Sequence, residues 1–258
     1  RFNLEYYYKK TTDMLLSYPM ALSTGFSGYN ANVGDMRNTG FEAELTVTPV
    51  QTKDLRWDVT LMGSTVSNKV LKLTQESPEI VRGVRVIKED YPINTFYMVK
   101  SAGVDPATGA ELYWAYDDIT VYKKDASGNV LKDENGNPIE DYTYRDEYIT
   151  SDNAKANASK YYLGSRIPGL YGSISSNVSF RGFDLSILTT YSIGGKVYDS
   201  SYNSLMNLWY MSSTWHENAL RRWQKPGDVT DVPRIEIASS NLTTDRYLVD
   251  ASYFAIKN

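Results

Sequence analysis

Strict two-residue alternation over Gly40 to Ser67 constrains this chain more than any other feature. Phe41, Ala43, Leu45 and Val47 share one parity, and Glu42, Glu44, Thr46 and Thr48 the other. After a polar break at Gln51 to Asp54, Leu55, Trp57, Val59 and Leu61 alternate with Arg56, Asp58 and Thr60. Strand side chains point to opposite faces with a period of two, so this is a hairpin with one apolar and one charged face. Its arms run to about ten residues, the length of tilted strand that crosses a bilayer, where a soluble strand is usually about five or six.

The same pattern recurs. Phe2, Leu4, Tyr6 and Tyr8 alternate with polar residues in an opening strand. A second hairpin over Leu170 to Ser192 sets Ile174, Val178 and Phe180 against Phe183, Leu185, Ile187 and Tyr191 across a turn at Arg181-Gly182. A shorter pair is expected over 94–102 and 110–116, joined through Gly103-Val104-Asp105-Pro106-Ala107-Thr108-Gly109, because Asp-Pro and Thr-Gly supply turn chemistry. Long connections run over 13–37, 68–93, 117–168 and 193–250; the first is polar with no periodic face to bury, and in the third two turn clusters flank Val130-Leu131-Lys132, the spacing of a small hairpin excursion on a long loop. If the tight turns share one side of a sheet, strand parity puts these connections on the other and the Asp105 turn with the tight turns. Short turns on one side and long loops on the other is the pattern of an outer-membrane barrel with periplasmic turns and extracellular loops. The expected fold is therefore all-β, an antiparallel transmembrane β-barrel segment. Apolar residues of the first hairpin would face lipid, and Glu42, Glu44, Arg56 and Asp58 would line the lumen.

A hydrophobic content of 41% is compatible with such a wall, since only alternate residues meet lipid. The 22 Tyr and 5 Trp suit aromatic girdles at the membrane interface, although Tyr is also a good strand residue. No run of about 18 apolar residues marks a transmembrane helix. Net charge −4 without a basic block argues against nucleic acid as a partner. Zero Cys removes disulfides and thiol chemistry. Both ends break off in strand pattern, as expected of a piece of a longer protein.

Little in the chain suggests bond chemistry. His216 is the only His, so a catalytic triad or paired-imidazole metal site has one residue to draw on, and a surface role is the plainer reading. Asp117-Asp118 and Asp133-Glu134-Asn135-Gly136-Asn137 invite calcium, but turn formation explains the second cluster without an ion. Gly194-Gly195-Lys196 lacks the spacing of a phosphate loop. No enzyme activity, cofactor or metal is expected. Trp114, Tyr202, Trp209, Tyr210 and Trp215 lie on or near loops, where rings contact a substrate or a partner protein, or else form a folded loop core.

Specific motifs appear toward the end of the chain. Arg222-Trp223-Gln224-Lys225-Pro226-Gly227-Asp228-Val229-Thr230-Asp231-Val232-Pro233-Arg234 and Thr244-Asp245-Arg246-Tyr247-Leu248-Val249-Asp250-Ala251-Ser252-Tyr253-Phe254-Ala255-Ile256-Lys257-Asn258 are among them. With Asn38-Thr39-Gly40-Phe41-Glu42, the Gly103 to Gly109 segment and Tyr191 to Asp199, they resemble the SusC/RagA family of TonB-dependent outer-membrane transporters of Bacteroidetes. The matches follow the family's order over nearly the whole chain. Where the family carries a basic residue after Ser-Tyr-Leu, this chain has Ala255.

The resemblance implies a barrel of about 22 strands, of which residues 1–258 would be a part lacking the N-terminal plug, the early strands and the last ones. It further implies import of a bulky glycan or oligopeptide across the outer membrane. The implied partners are a SusD-like lipoprotein that caps the outer face and a TonB complex reached through an N-terminal segment. A barrel that only anchors a surface or adhesion protein is the alternative from another functional class, and a soluble β-rich binding module is a third.

Overall fold

The computed structural model describes residues 1–20, 22–26, 28–74, 77–208, 214–236 and 242–257. In chain order the strands are β1 (Phe2–Thr11), β2 (Leu15–Pro19), β3 (Gly28–Asn32), β4 (Asp35–Gln51), β5 (Leu55–Thr65), β6 (Ser67–Lys72), β7 (Glu79–Arg82), β8 (Arg85–Lys88), β9 (Thr95–Val104), β10 (Glu111–Tyr122) and β11 (Glu140–Thr150). Then follow helix α1 (Asn153–Ala158), β12 (Lys160–Tyr162), β13 (Leu170–Phe180), β14 (Phe183–Ile193), β15 (Lys196–Tyr198), helix α2 (Ser200–Leu205), β16 (Leu248–Asp250) and β17 (Tyr253–Ile256). They fall into two compact units. The first comprises Arg1–Tyr97, Tyr162–Tyr198 and Leu248–Asn258, and the second Met98–Tyr161 and Asp199–Tyr247.

The first unit is built on a wall of antiparallel strands in the order β1-β4-β5-β13-β14-β17, with β6 also pairing β4. Register aligns the faces that the sequence pattern separates. One row reads Phe2, Leu45, Leu61, Ile174, Thr189 and Ile256, and the next Asn3, Glu44, Met62, Ser173, Thr190 and Ala255. Because neighbouring rows point to opposite faces, the wall has an apolar side and a polar side along its whole width. Rings and aliphatic chains on the apolar side are left bare, with Phe2 63% and Phe183 80% exposed. A contiguous apolar sheet face of that extent is not what a water-soluble monomer presents.

One irregularity escaped the alternation argument. Between Val47 and Val50 the register shifts, so that Val47 pairs Val59 but Val50 pairs Trp57. The extra residue makes a β-bulge at Thr48-Pro49, a site where a proline's missing N–H does little harm. The bulge moves Val50, although even-numbered, opposite Trp57.

The tight turns of the two hairpins do lie together, since Arg181 N donates to Asp54 O at 3.1 Å. Wall strands β5 and β13 pair directly, Thr65 with Leu170, so everything from 66 to 169 is a single connection that leaves and returns at neighbouring positions. Neither β9 nor β10 pairs with a wall strand, so the strand count that grouped their turn with the tight turns does not apply to them. The connections are also more ordered than their polar composition suggests. Residues 13–37 hold the β2–β3 hairpin, with Leu15 opposite Asn32. Residues 68–93 hold β6, β7 and β8, which close over a buried cluster of Val70, Leu73, Ile80 and Ile87.

In the second unit, β10 pairs β9 and then β11 in a long antiparallel ladder from Tyr113–Thr150 to Tyr122–Glu140. The unit has two small cores. Val99, Tyr113 and Ala156 form one, and Met206, Leu208, Ala219 and Val232 the other, within the last long connection.

Candidate functional site

On the polar side of the wall, Glu42 and Glu44 of β4 lie beside Glu5 of β1, with Glu5 directly opposite Glu42. Together with Asn3, Ser64 and Tyr171 they line a shallow depression of 350 Å³. Arg56 and Asp58 sit on the same side near the tight turn and are occupied with each other, Arg56 Nε donating to Asp58 Oδ2 at 2.7 Å. Thr48 Oγ1, from the bulge, donates to Asp58 Oδ1 at 2.6 Å. The four predicted residues therefore share a face but divide into an acidic depression and a neutralised pair. Asn3 and Glu5 are polar residues of the opening strand's alternation, which by itself does not join them to Glu42. Only register brings them together.

The predicted loop aromatics have separate settings. Trp114 lies within β10, half-buried, with Lys100 Nζ 5.2 Å from its ring centre. Tyr202 and Trp215 pack against the Met206 to Val232 core, the folded loop core that the sequence left open. The Tyr202 hydroxyl accepts from Asn218 Nδ2 at 2.7 Å, and its ring meets His216 edge-on at 5.0 Å. His216 caps a short helical turn, its Nδ1 accepting from Asn218 N. Trp209 and Tyr210 lie outside the described residues. In the Asp133 cluster the carboxylate accepts the amides of Asn135 and Asn137, and Asp125 repeats the arrangement eight residues earlier with Ser127 and Asn129. These backbone donors hold both carboxyls below the usual carboxylate range. Asx turns account for both motifs.

What sequence reasoning missed is that three separated motifs form one structural node in the second unit. Asp105 organises its turn by accepting Ala107 N at 2.9 Å and the Thr108 hydroxyl at 2.6 Å. Onto that turn the Arg222 to Arg234 segment docks. Trp223 Nε1 and Gly227 N both donate to Pro106 O, at 2.9 and 2.8 Å, while Arg234 donates from N to Gly109 O and from Nη1 to Thr108 O. The Thr244 to Tyr247 segment docks beside β9 and β10. Asp245 Oδ1 accepts Ser101 N at 2.7 Å, and Arg246 Nη2 lies 3.1 Å from Glu111 Oε1. Glu111 is almost wholly buried, its other oxygen accepting the Tyr113 hydroxyl at 3.3 Å. Burial raises the Glu111 carboxyl above its ordinary value and outweighs the attraction of Arg246. Burial likewise raises the Tyr113 and Tyr247 hydroxyls. This node is a fastening without a nucleophile–base pair, and it explains why these residue strings stand out.

No family model matches the sequence. Among characterised proteins, TonB-dependent receptor P26 of Formosa agariphila is 28% identical over 272 residues, covering 98% of this chain and 24% of the relative. TonB-dependent receptor P39 of the same organism is 22% identical, covering 99% of this chain and 26% of the relative. TonB-dependent receptor SusC of Bacteroides thetaiotaomicron is 26% identical over 78% of this chain and 18% of its own. The chain is related to the SusC/RagA TonB-dependent receptors. It spans about a quarter of the length of the first of these relatives. Among solved structures, the RagAB peptide importer in its closed-closed state superposes with a TM-score of 0.78 at 24% identity, covering 99% of this chain and 26% of that one. The RagAB peptide transporter gives 0.77 over 98% and 26%. The two-faced wall thus shares the antiparallel β-fold of the corresponding segment of these outer-membrane transporters.

Proposed function

We propose that this chain is a portion of a TonB-dependent importer that carries a bulky nutrient, a glycan or an oligopeptide, through the outer membrane in partnership with a SusD-like lipoprotein. The observation that carries the reading is the division of the wall into one apolar and one polar side in continuous cross-strand rows. The apolar side suits lipid, and the polar side, with Glu42, Glu44, Arg56 and Asp58, suits a hydrated lumen or the surface of a plug. Import of this kind requires no bond chemistry, and energy would come through TonB by way of a segment upstream in the full receptor. The relatives named above are TonB-dependent receptors, and the similar solved structure is a peptide importer, which makes peptides the first cargo class to test.

Deleting the parent gene and measuring growth and uptake on defined glycans and peptides tests this. Loss of uptake of one cargo class, restored by the intact gene, is the expected result. Unchanged uptake of every glycan and peptide would refute it.

A further inference from the structure

Gly40 of β4 and Gly172 of β13 lie inside wall strands, where a glycine weakens the strand, and neither has the positive φ that calls for one. Space explains both. Directly across the ladder from each stands a tyrosine, Tyr7 of β1 opposite Gly40 and Tyr191 of β14 opposite Gly172. Each tyrosine crosses its glycine, the hydroxyl coming within 2.7 Å of the position a Cβ would take. It then donates to a carbonyl of β5, the strand beyond. Tyr7 donates to Thr65 O at 3.0 Å and Tyr191 to Met62 O at 2.9 Å. The same two carbonyls stand nearer still to the Cβ positions, so any side chain at Gly40 or Gly172 would obstruct the crossing.

In the strand order β1-β4-β5-β13-β14 the two crossings converge on β5 from either side. They use opposite faces of the wall. Tyr7 belongs with Asn3 and Glu5 on the polar side. Tyr191 shares an apolar-side row with Phe254, Gly172, Gly63, Ala43 and Leu4, and its hydroxyl lies 3.2 Å from the Cβ position of Gly63. A hydroxyl facing hydrocarbon needs an acceptor within the protein, and Met62 O supplies it. Both crossings lie toward the same end of the wall. Thr65 ends β5 just before the connection that returns at Leu170, β14 ends two residues after Tyr191, and the connection from β1 rejoins the wall at Asp35, five residues before Gly40.

We propose that Tyr7 and Tyr191 are straps, each seated over a glycine saddle and fastened to β5, that hold the feet of the long connections so that movement there does not open the wall. Ladder hydrogen bonds join only neighbouring strands, whereas each strap ties three with one side chain. Hydrogen exchange of the full-length receptor in lipid vesicles, at a temperature where wild-type strand ends exchange within hours, tests this. Tyr191→Phe keeps the ring and removes the donor; it should speed exchange over 62–65 and 170–174 about 2- to 12-fold, the equivalent of one net hydrogen bond. Tyr7→Phe should do the same over 38–42 and 62–65. Near the tight turns, over 55–58 and 177–180, exchange should keep its wild-type rate. Tyr6→Phe is the comparator and should change nothing, because the Tyr6 hydroxyl has no hydrogen bond among the described residues. Gly172→Ala should speed exchange over 62–65 and 170–174 more than Tyr191→Phe does, and a smaller effect overturns the saddle. Should that variant fail to assemble, the phenylalanine variants decide alone. Unchanged exchange at the feet in both of them, or an equal rise along the whole of β5, overturns the proposal.

Discussion

Replacing Gly109 by alanine should break the node at its narrowest point. Gly109 has φ +73°, the left-handed region, which costs a residue with a Cβ about 1–2 kcal/mol. A Cβ there would also strike the Trp223 ring, whose Cγ stands 2.9 Å away and whose Cδ2 is closer still. The indole is half-buried, so it can swing outward, but doing so gives up its hydrogen bond to Pro106 O, worth about 0.5–1.5 kcal/mol. Overpacking that relaxes only in part, the lost hydrogen bond included, costs about 1–3 kcal/mol. The expected local destabilisation is therefore about 2–5 kcal/mol, of which the Trp223 share is about 1–3 kcal/mol.

Amide hydrogen exchange on the full-length receptor reads this directly, because Gly227 N and Arg234 N donate to Pro106 O and Gly109 O across the docked segments. The Trp223 share alone should accelerate their exchange about 5- to 150-fold. Gly128→Ala is the comparator, since Gly128 has φ +87° but no atom within 4 Å of its Cβ position, leaving only the conformational cost. In a double-mutant cycle, Trp223→Ala should abolish the excess cost of Gly109→Ala over that comparator. An excess that persists without the indole, or no excess in the first place, would refute the account of why this position is glycine.

Two further outcomes follow from the geometry. Leu61→Arg, on the apolar side of the wall, should cost about 2–4 kcal/mol in refolding into lipid vesicles if the site is near the bilayer midplane, while Thr60→Arg, one residue away on the polar side, should be tolerated; equal costs would sink the lipid-and-lumen assignment. Arg246→Met leaves the buried Glu111 carboxylate without its cation and should destabilise the node by about 3–5 kcal/mol at neutral pH, whereas Glu111→Gln should cost much less because burial already disfavours the charge. The sign with pH is fixed. Glu111's folded value is raised above its unfolded one, so the penalty on the charged form is present at neutral pH and fades as pH falls through the raised value. Hydrogen exchange of the Arg246→Met receptor at pH 7.5 and pH 5 should therefore show the defect shrinking on acidification, and a defect that grows would contradict the burial argument.

How much of this was legible in the sequence depended on whether a signal is local or lies in pairing. Alternation in Phe41 to Val47 and Leu55 to Leu61 fixes the two faces of the wall, because the side-chain period of a strand is set by backbone geometry alone. The bulge at Pro49 was not legible, since nothing local says which register the partner keeps. Counting strands failed at β9 and β10 for the same reason: amphipathic arms of a wall hairpin and of a loop hairpin look alike until Thr65 is found beside Leu170. The node shows the limit most clearly. Gly109, Trp223 and Arg246 announced themselves as members of unusual strings, but their contacts span more than a hundred residues of chain, and no periodicity reports a long-range pair. Conversely, the absence of an apolar period in 199–247 had a structural meaning that composition concealed. Its core is assembled from Met206, Leu208, Ala219 and Val232 at irregular spacings, because a helix end, a short helical turn and irregular segments rather than strands carry them. Periodic patterns therefore reveal the two faces of such a wall, while its irregular connections yield only to contacts.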